Sequence, residues 1–265
     1  MSFNGGYESD STPVVNATEL LAGIARIGKQ NEVNAGINDT IIVTPAKLKE
    51  LLNVTLRYQY GAGANSIIPK SGTNNVATAP FAVIPSGQRN SANAPYSTAE
   101  GLYAEALTFN EAAKAAGALK NVKGSAQSST INLFGSIPPS SGSIWTVVPD
   151  GNGSGSENKW TITNNCIVAF NAQFTVTQND GIPGEIGNSW TGHYEGALKN
   201  VDGIVSWLGG LPALRESRQD AAFTPATGFV LIDNEIAAFV AGMEFKNLHV
   251  NIAITLTQTK FGLGL

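Results

Sequence analysis

Two long stretches near the C-terminal end of the chain alternate apolar and polar residues with a period of two. Residues 169–178 read Ala-Phe-Asn-Ala-Gln-Phe-Thr-Val-Thr-Gln, and residues 249–258 read His-Val-Asn-Ile-Ala-Ile-Thr-Leu-Thr-Gln. Successive side chains of a β-strand point to opposite faces, so this pattern predicts strands with one buried and one exposed face. A chain with two such strands must build at least one half-buried sheet, and such sheets are typically antiparallel.

Further strand-like runs occupy the region from residue 128 to the C-terminal end. Turn signals separate them, at Pro138-Pro139, Asp150-Gly151, Asn179-Asp180-Gly181, Gly209-Gly210 and Asp233-Asn234. We predict strands at residues 131–134, 144–148, 160–163, 167–178, 192–198, 203–208, 229–232, 236–243 and 248–259. Strands at this spacing predict an antiparallel β-sandwich or jelly-roll domain over residues 128–265.

Charged residues are few, and their balance is mildly acidic. Asp, Glu, Lys and Arg make up 14% of the 265 residues, and 16 basic against 20 acidic side chains give a net charge of −4. Such a chain has no general attraction for nucleic acid or anionic lipid, so we expect neither as a partner. No apolar run approaches the ~20 residues of a membrane span, and the N-terminal stretch lacks the regions of a signal peptide. We therefore expect a soluble product without membrane insertion.

Residues that support catalysis or metal binding are sparse. His193 and His249 have no partner ligand at a metal-binding spacing, and Cys166 lies in an apolar run that predicts a buried, unreactive thiol. The glycine-rich stretch 151–155 precedes a strand rather than the helix that a phosphate loop or a nucleophile elbow requires. The carboxylates Glu185, Glu195, Asp202, Glu216 and Asp220 give no reason to pair any two, and we find no internal repeat. We predict no enzymatic activity, no cofactor and no metal.

Residues 23–48 carry the most specific motif of the chain. They read Gly-Ile-Ala-Arg-Ile-Gly-Lys-Gln-Asn-Glu-Val-Asn-Ala-Gly-Ile-Asn-Asp-Thr-Ile-Ile-Val-Thr-Pro-Ala-Lys-Leu. This stretch resembles a module that recurs in bacteriophage tail fibres and related virion surface proteins, and the match is dense and in register. The resemblance implies a phage structural protein whose N-terminal region attaches to other virion proteins.

We assign residues 1–57 to an N-terminal arm and this small α/β attachment module. Residues 40–43 are β-branched and predict a strand, and Thr44 and Pro45 predict the cap and first position of a short helix that includes Leu48. A module with so few large apolar groups would be a weak independent fold, so we expect it to pair with copies of itself.

Residues 58–127 are predicted to form an extended connector with one helix at 98–117. Ser97 and Glu100 fit a capping box, and Gly117 offers a left-handed stop. Apolar residues recur between them at helical spacings of four and three. A stripe so rich in alanine permits close approach of symmetry copies, and an ordinary amphipathic helix on its own domain is the alternative. The candidate trimer-interface residues on this stripe are Leu102, Ala106, Phe109 and Ala113.

The strand pattern of residues 128–265 is similar to that of the tumour-necrosis-factor-like knobs that tip many phage fibres. Those knobs are trimers, and the resemblance implies a homotrimer whose final strand lies near the three-fold axis. Phe261, just after that strand, is then a further candidate trimer-interface residue.

A knob of this kind binds its receptor through loops with exposed aromatic and polar groups. The stretches 179–194 and 207–220 are the candidates, the first for its aromatic residues and the second for arginines that can bind carboxylate or phosphate. The candidate receptor-binding residues are Trp190, His193, Tyr194, Arg215 and Arg218. The alternative for the tryptophan is burial in the sandwich.

Our hypothesis is therefore a mainly β, homotrimeric, non-enzymatic phage protein at the virion surface, made in the host cytoplasm. One role is a short tail fibre whose knob binds a host-surface glycan or protein. The other is a capsid-decorating cement protein or head fibre that stabilises the capsid at local three-fold positions. The N-terminal motif favours the fibre, whereas the short length, which leaves almost no shaft, favours the capsid.

Overall fold

The structure, a computed structural model, divides the chain into two compact units, Met1–Arg57 and Tyr58–Leu265. It describes residues 56–262 except 72–73, 140–141, 153–158, 181–184, 222, 233–234 and 245, together with Ala46, Leu48 and Lys49. These last three residues are helical, in agreement with the helix predicted after Thr44 and Pro45. The motif at residues 23–45 and the strand predicted at 40–43 lie outside the described residues.

The second unit is built mainly of β-strands, with a 3₁₀ turn at Leu119–Asn121. The strands are β1 (Tyr58–Tyr60), β2 (Ile67–Pro69), β3 (Val76–Ala77), β4 (Gly87–Gln88), β5 (Ser91–Ala92), β6 (Thr98–Leu102), β7 (Glu105–Ala106), β8 (Ala112–Ala115), β9 (Ala126–Ile137), β10 (Ile144–Val147), β11 (Cys166–Gln178), β12 (Ser189–Val201), β13 (Ile204–Trp207), β14 (Ala213–Gln219), β15 (Thr227–Ile232), β16 (Glu235–Ala241) and β17 (Leu248–Lys260). The mainly β fold class is thus confirmed.

Most strands predicted from residue 128 onward are confirmed. The exceptions are Trp160, which forms an isolated bridge to Ile236 instead of a strand, and β14, which was not predicted. β14 is exposed along its whole length, so it lacks the apolar face by which a strand is recognised in sequence.

A β-sandwich forms the C-terminal part. Its larger sheet has the strand order β13-β12-β11-β17-β9-β8-β6-β4, with β14 paired to β12, and its smaller sheet has the order β10-β16-β15. Buried side chains of both sheets share one apolar core, which includes Phe170, Phe174 and Phe229. Phe174 and Phe229 meet edge to face with ring centroids 5.3 Å apart, a preferred aromatic geometry.

Alternate side chains of the central strands β9, β11 and β17 point away from the core. We call the surface that they form the outward face of the larger sheet. Burial alternates residue by residue along each strand, as the period-two pattern predicted. The outward residues of β11 and β17 are Ile167, Ala169, Asn171, Gln173, Thr175, Thr177, His249, Asn251, Ala253, Thr255, Thr257 and Thr259. None of these is an acidic residue, a lysine or an arginine, so the middle of the outward face is neutral and mostly polar.

Residues 61–117 wind into a short parallel β-solenoid. Ile67, Val83, Thr98 and Ala112 pair in parallel one after another, at intervals of 16, 15 and 14 residues. A second parallel row joins β3, β5 and β7. The expectation that the chain has no internal repeat is therefore wrong. The repeat is hard to see in sequence because its length varies and its inward residues are mostly alanine.

Asparagines reinforce this coil from inside. The Asn75 side chain accepts a hydrogen bond from the Asn90 N–H at 3.0 Å, and the Asn90 side chain accepts one from the Ala104 N–H at 2.8 Å. Each thus links one turn of the solenoid to the next. Residues 58–127 are consequently a folded element rather than an extended connector.

The helix predicted at residues 98–117 is also wrong, because β6, β7 and β8 occupy this range. Residues one coil apart, such as Thr98 and Ala112, are 14 residues apart, which is close to four helical turns. The repeat of the solenoid therefore imitates helical spacing. The capping residues have other partners: the Ser97 hydroxyl donates to the Ala94 carbonyl, and Glu100 pairs with Lys114.

The solenoid and the sandwich share the larger sheet. β9 pairs with β17 along one edge and with β8, the last strand of the solenoid row, along the other. A buried ion pair crosses the same junction, since Lys260 Nζ lies 2.7 Å from a Glu105 carboxylate oxygen. Backbone hydrogen bonds and an ion pair thus both connect the solenoid to the sandwich.

Candidate functional site

The outward face is walled at one side by β14. This strand pairs with β12 on the opposite edge from β11, and the register shifts at a bulge between His193 and Tyr194. Arg215 lies at the bulge, where its guanidinium lies 2.8 Å from a Glu195 carboxylate oxygen. Bulges bend and twist a strand, so we expect a local bend in this edge of the sheet.

A polar groove lies between β14 and the outward face. One part of it, of about 270 Å³, is lined by residues of β14 and β12 together with Gln173. An overlapping part, of about 390 Å³, reaches across to β17. The residues that line the two parts and supply side-chain polar groups are Asn171, Gln173, Thr191, His193, Glu216, Ser217, Arg218 and Thr255.

The groove combines a neutral polar floor with a charged wall. Asn171, Gln173 and Thr255 form the floor and can both donate and accept hydrogen bonds. Glu216 and Arg218 alternate with Ser217 on β14, so one acidic and one basic group face the same space. Glu216 lies directly opposite His193 in the strand register. The arrangement can bind a ligand rich in hydroxyl groups, with Arg218 available for an anionic substituent.

The predicted receptor-binding residues divide between two sides of β12. His193 faces the groove, and Arg218 lines it from β14. Trp190 and Tyr194 have the opposite parity and point into the core, where 4% and 6% of their surfaces remain exposed. The Tyr194 hydroxyl donates to the Thr227 carbonyl at 2.7 Å, and burial raises the pKa of this phenol. The prediction that these two aromatic residues face a receptor is thus corrected.

Gly192 explains how Trp190 fits into the core. A Cβ atom at residue 192 would lie 2.1 Å from the Trp190 ring, so only glycine allows the indole to lie over the strand. This packing fixes the parity of β12 and therefore turns Thr191 and His193 toward the groove.

The predicted trimer-interface residues are also divided. Ala106 and Ala113 lie in the interior of the solenoid, so they offer no surface to a neighbouring copy. Leu102 is exposed, Phe109 packs against Tyr96, and the Phe261 N–H donates to the Asn165 carbonyl at 2.8 Å. These three remain candidates.

Sequence reasoning missed the floor of the groove, and it named Glu216 only among carboxylates that it had no reason to pair. The alternation of β11 was recognised, but Asn171 and Gln173 were treated as ordinary exposed positions. One signal in the sequence could have indicated this floor. The polar residues that alternate with apolar ones in β11 and β17 include no charged residue, although the chain carries charge elsewhere.

Other functional features are limited in the part of the chain that the structure describes. No cluster of three or more His, Cys, Asp or Glu residues is placed to hold a metal ion there. No helix among these residues is long and apolar enough to cross a membrane. Cys166 is fully buried, as predicted, and burial raises its pKa to about 11.

Comparison with known proteins gives a weak structural likeness. No family model and no curated protein matches the chain. Among solved structures, the tailspike protein of Acinetobacter baumannii phage AM24 is similar over 71% of this chain and 35% of its own, with 8% identity and a TM-score of 0.26. The tailspike of Acinetobacter phage vB_ApiP_P1 is similar over 72% of this chain and 46% of its own, with 10% identity and a TM-score of 0.30. The chain thus spans less than half the length of either tailspike.

Proposed function

We propose that this chain is a structural protein of a bacteriophage virion, a short trimeric tail fibre that binds a receptor on the host surface. Its N-terminal unit attaches it to other virion proteins, and its sandwich presents the groove. The motif at residues 23–48 supports the assignment to a virion. The observation that carries the binding role is the groove itself, which sets Arg218, Glu216 and His193 over a neutral polar floor.

The chemistry of the groove supports binding of a glycan rather than its cleavage. Sugars present many hydroxyl groups, which match the amide and hydroxyl side chains of the floor. Hydrolysis of a glycosidic bond usually requires two carboxylates. Among the described residues that line the groove, Glu216 is the one carboxylate. Glu195 pairs with Arg215 and does not line the groove.

The test compares two arginines of the same strand. Arg218→Ala removes the cation of the groove, whereas Arg215→Ala, the control, removes one that is paired with Glu195 and does not line it. Both positions are exposed, so both variants should fold. Binding of purified, fluorescently labelled protein to cells of the bacterial strain that the phage infects is measured. A charge-assisted hydrogen bond is worth about 1.5–3 kcal/mol, so Arg218→Ala should weaken binding about tenfold or more.

Equal affinities of the two variants would contradict the assignment of the groove. A wild-type protein that does not bind these cells at all would contradict the receptor-binding role.

A further inference from the structure

The solenoid has mostly alanine inside, and several of its large apolar side chains are outside. Its buried core consists of nine alanines and Ile84. Several larger apolar residues are exposed on its surface, including Tyr60, Tyr96 and Phe81 at 81%, 55% and 44%. Burying one methyl group contributes about 0.8 kcal/mol, against about 1.5–3 kcal/mol for a large apolar side chain. The distribution therefore leaves several large apolar side chains of this region without burial in a single protomer.

These residues belong to neighbouring strands and turns of the solenoid. Tyr60 lies opposite Ile67 in the β1–β2 register, and Ile67 is the parallel partner of Val83. The neighbouring residues Ile68 and Ile84 point inward, toward the alanine core, so this row points outward. The rings of Phe81, two residues before Val83, and of Tyr96 stack with centroids 5.0 Å apart. We call the surface the aromatic patch; it comprises Tyr58, Tyr60, Ile67, Phe81, Val83 and Tyr96.

Two residues of the patch have an unusual backbone conformation. Asn65, Phe81, Tyr96 and Asn110 occupy equivalent turns of the solenoid, and all have φ between 56° and 60°. Asparagine tolerates this left-handed region, whereas an aromatic residue is strained there. Strained residues persist where the surrounding structure or a function retains them. The two middle turns thus carry exposed rings at positions where asparagine would be less strained.

The size of the patch fits a protein interface. An aromatic side chain buries about 150–250 Å² in full, so the exposed fractions of Tyr58, Tyr60, Phe81 and Tyr96 leave roughly 340–560 Å² accessible. A standard interface buries about 800 Å² on each partner. The four rings alone therefore supply about half of such a surface.

We infer that the aromatic patch is the surface through which copies of this chain pack together, with three patches converging on a three-fold axis. This rests on the trimer in the proposed function and specifies which surface forms it. Three features favour a copy of the chain over another partner. The patch is uncharged, so copies meet without repulsion. It begins at Tyr58, directly after the unit expected to self-associate. The alanine core also leaves the solenoid dependent on cover from outside.

The first test is the oligomeric state of the full chain carrying Tyr60→Glu and Ile67→Glu, measured by size-exclusion chromatography with light scattering. Both side chains are exposed, and circular dichroism checks that the β-structure is retained. We expect the double variant to become monomeric. The control Ile204→Glu changes an exposed isoleucine on β13, in the sandwich, and should remain trimeric. A double variant that is as trimeric as the wild type would overturn the inference, and so would a monomeric wild type.

The second test uses the burial of the one native cysteine. Because Cys166 is fully buried, Tyr60→Cys introduces the accessible thiol. Mild oxidation with a copper–phenanthroline catalyst should join two copies at residue 60, giving a dimer on a denaturing gel, whereas Ile204→Cys should give none. Equal cross-linking of the two variants would overturn the inference. Host-cell binding is scored separately, so loss of binding by a protein that still forms the trimer contradicts only the receptor-binding role.

Discussion

Glu111 is a buried carboxylic acid beneath the last coil of the solenoid. One of its oxygens accepts hydrogen bonds from the N–H groups of Leu107 and Thr108 at 2.8 and 3.0 Å. Burial, reinforced by the nearby Glu105 carboxylate, nevertheless raises the pKa of Glu111 above its ordinary value. Desolvation of the charged form therefore outweighs the hydrogen bonds that would stabilise it.

This raised pKa predicts a particular pH dependence of stability. A carboxyl group whose pKa is higher in the folded than in the unfolded state stabilises the fold fully below the unfolded pKa. The contribution is lost as the pH rises through the folded pKa. The wild type should therefore lose free energy of unfolding relative to Glu111→Gln as the pH rises above the ordinary pKa of a glutamate, about 4, since the amide keeps an acceptor but has no charge. Urea titrations at several pH values measure the difference between the two proteins. A pH-independent difference would contradict the assignment.

The alternation of side chains along β12 explains which residues were correctly assigned to the site. Trp190, Gly192 and Tyr194 share one face of β12, and His193 lies on the other. The sequence shows aromatic residues close together, but whether they face the core depends on packing such as that of Trp190 over Gly192. Local composition does not contain that information.

Among the elements, the long strands were predictable and the solenoid was not. β11 and β17 can be recognised in the sequence because each buries one face over its whole length. The coils of the solenoid bury mainly alanine, which gives a weak hydrophobic signal, and the last of their spacings, 14 residues, is close to four helical turns. β4, β5 and β7 have two residues each, which is too short to show the alternation of apolar and polar residues that identifies a strand.

The connection between solenoid and sandwich is expected to depend on the ion pair between Lys260 of β17 and Glu105 of β7. Lys260 also donates to the Lys123 carbonyl at 2.6 Å. Lys260→Ala leaves Glu105 largely buried without its partner, and breaking a buried pair in this way costs about 3–5 kcal/mol. Lys114→Ala, the control, breaks the exposed pair with Glu100, where the loss is about 0–1 kcal/mol. Urea denaturation of the two variants compares these losses. Similar losses for both would show that the buried pair has no special role at the junction.

At the scale of the whole molecule, the sequence predicts the β-sandwich and two of the eight residues that supply polar side chains to the groove. His193 and Arg218 were named from their residue types, and the structure places both at the groove. The floor residues and the solenoid arise from pairings between distant parts of the chain. β9, for example, pairs with both β8 and β17, which no local pattern specifies.

The most direct test of the proposed function is the position of this protein on the phage particle. Intact particles are labelled with gold-conjugated antibodies raised against the full chain and viewed by electron microscopy. A tail fibre predicts gold particles confined to the tail region. Label spread over the head would contradict the tail-fibre assignment in favour of a capsid-decorating protein, and particles without label would contradict a place on the virion surface.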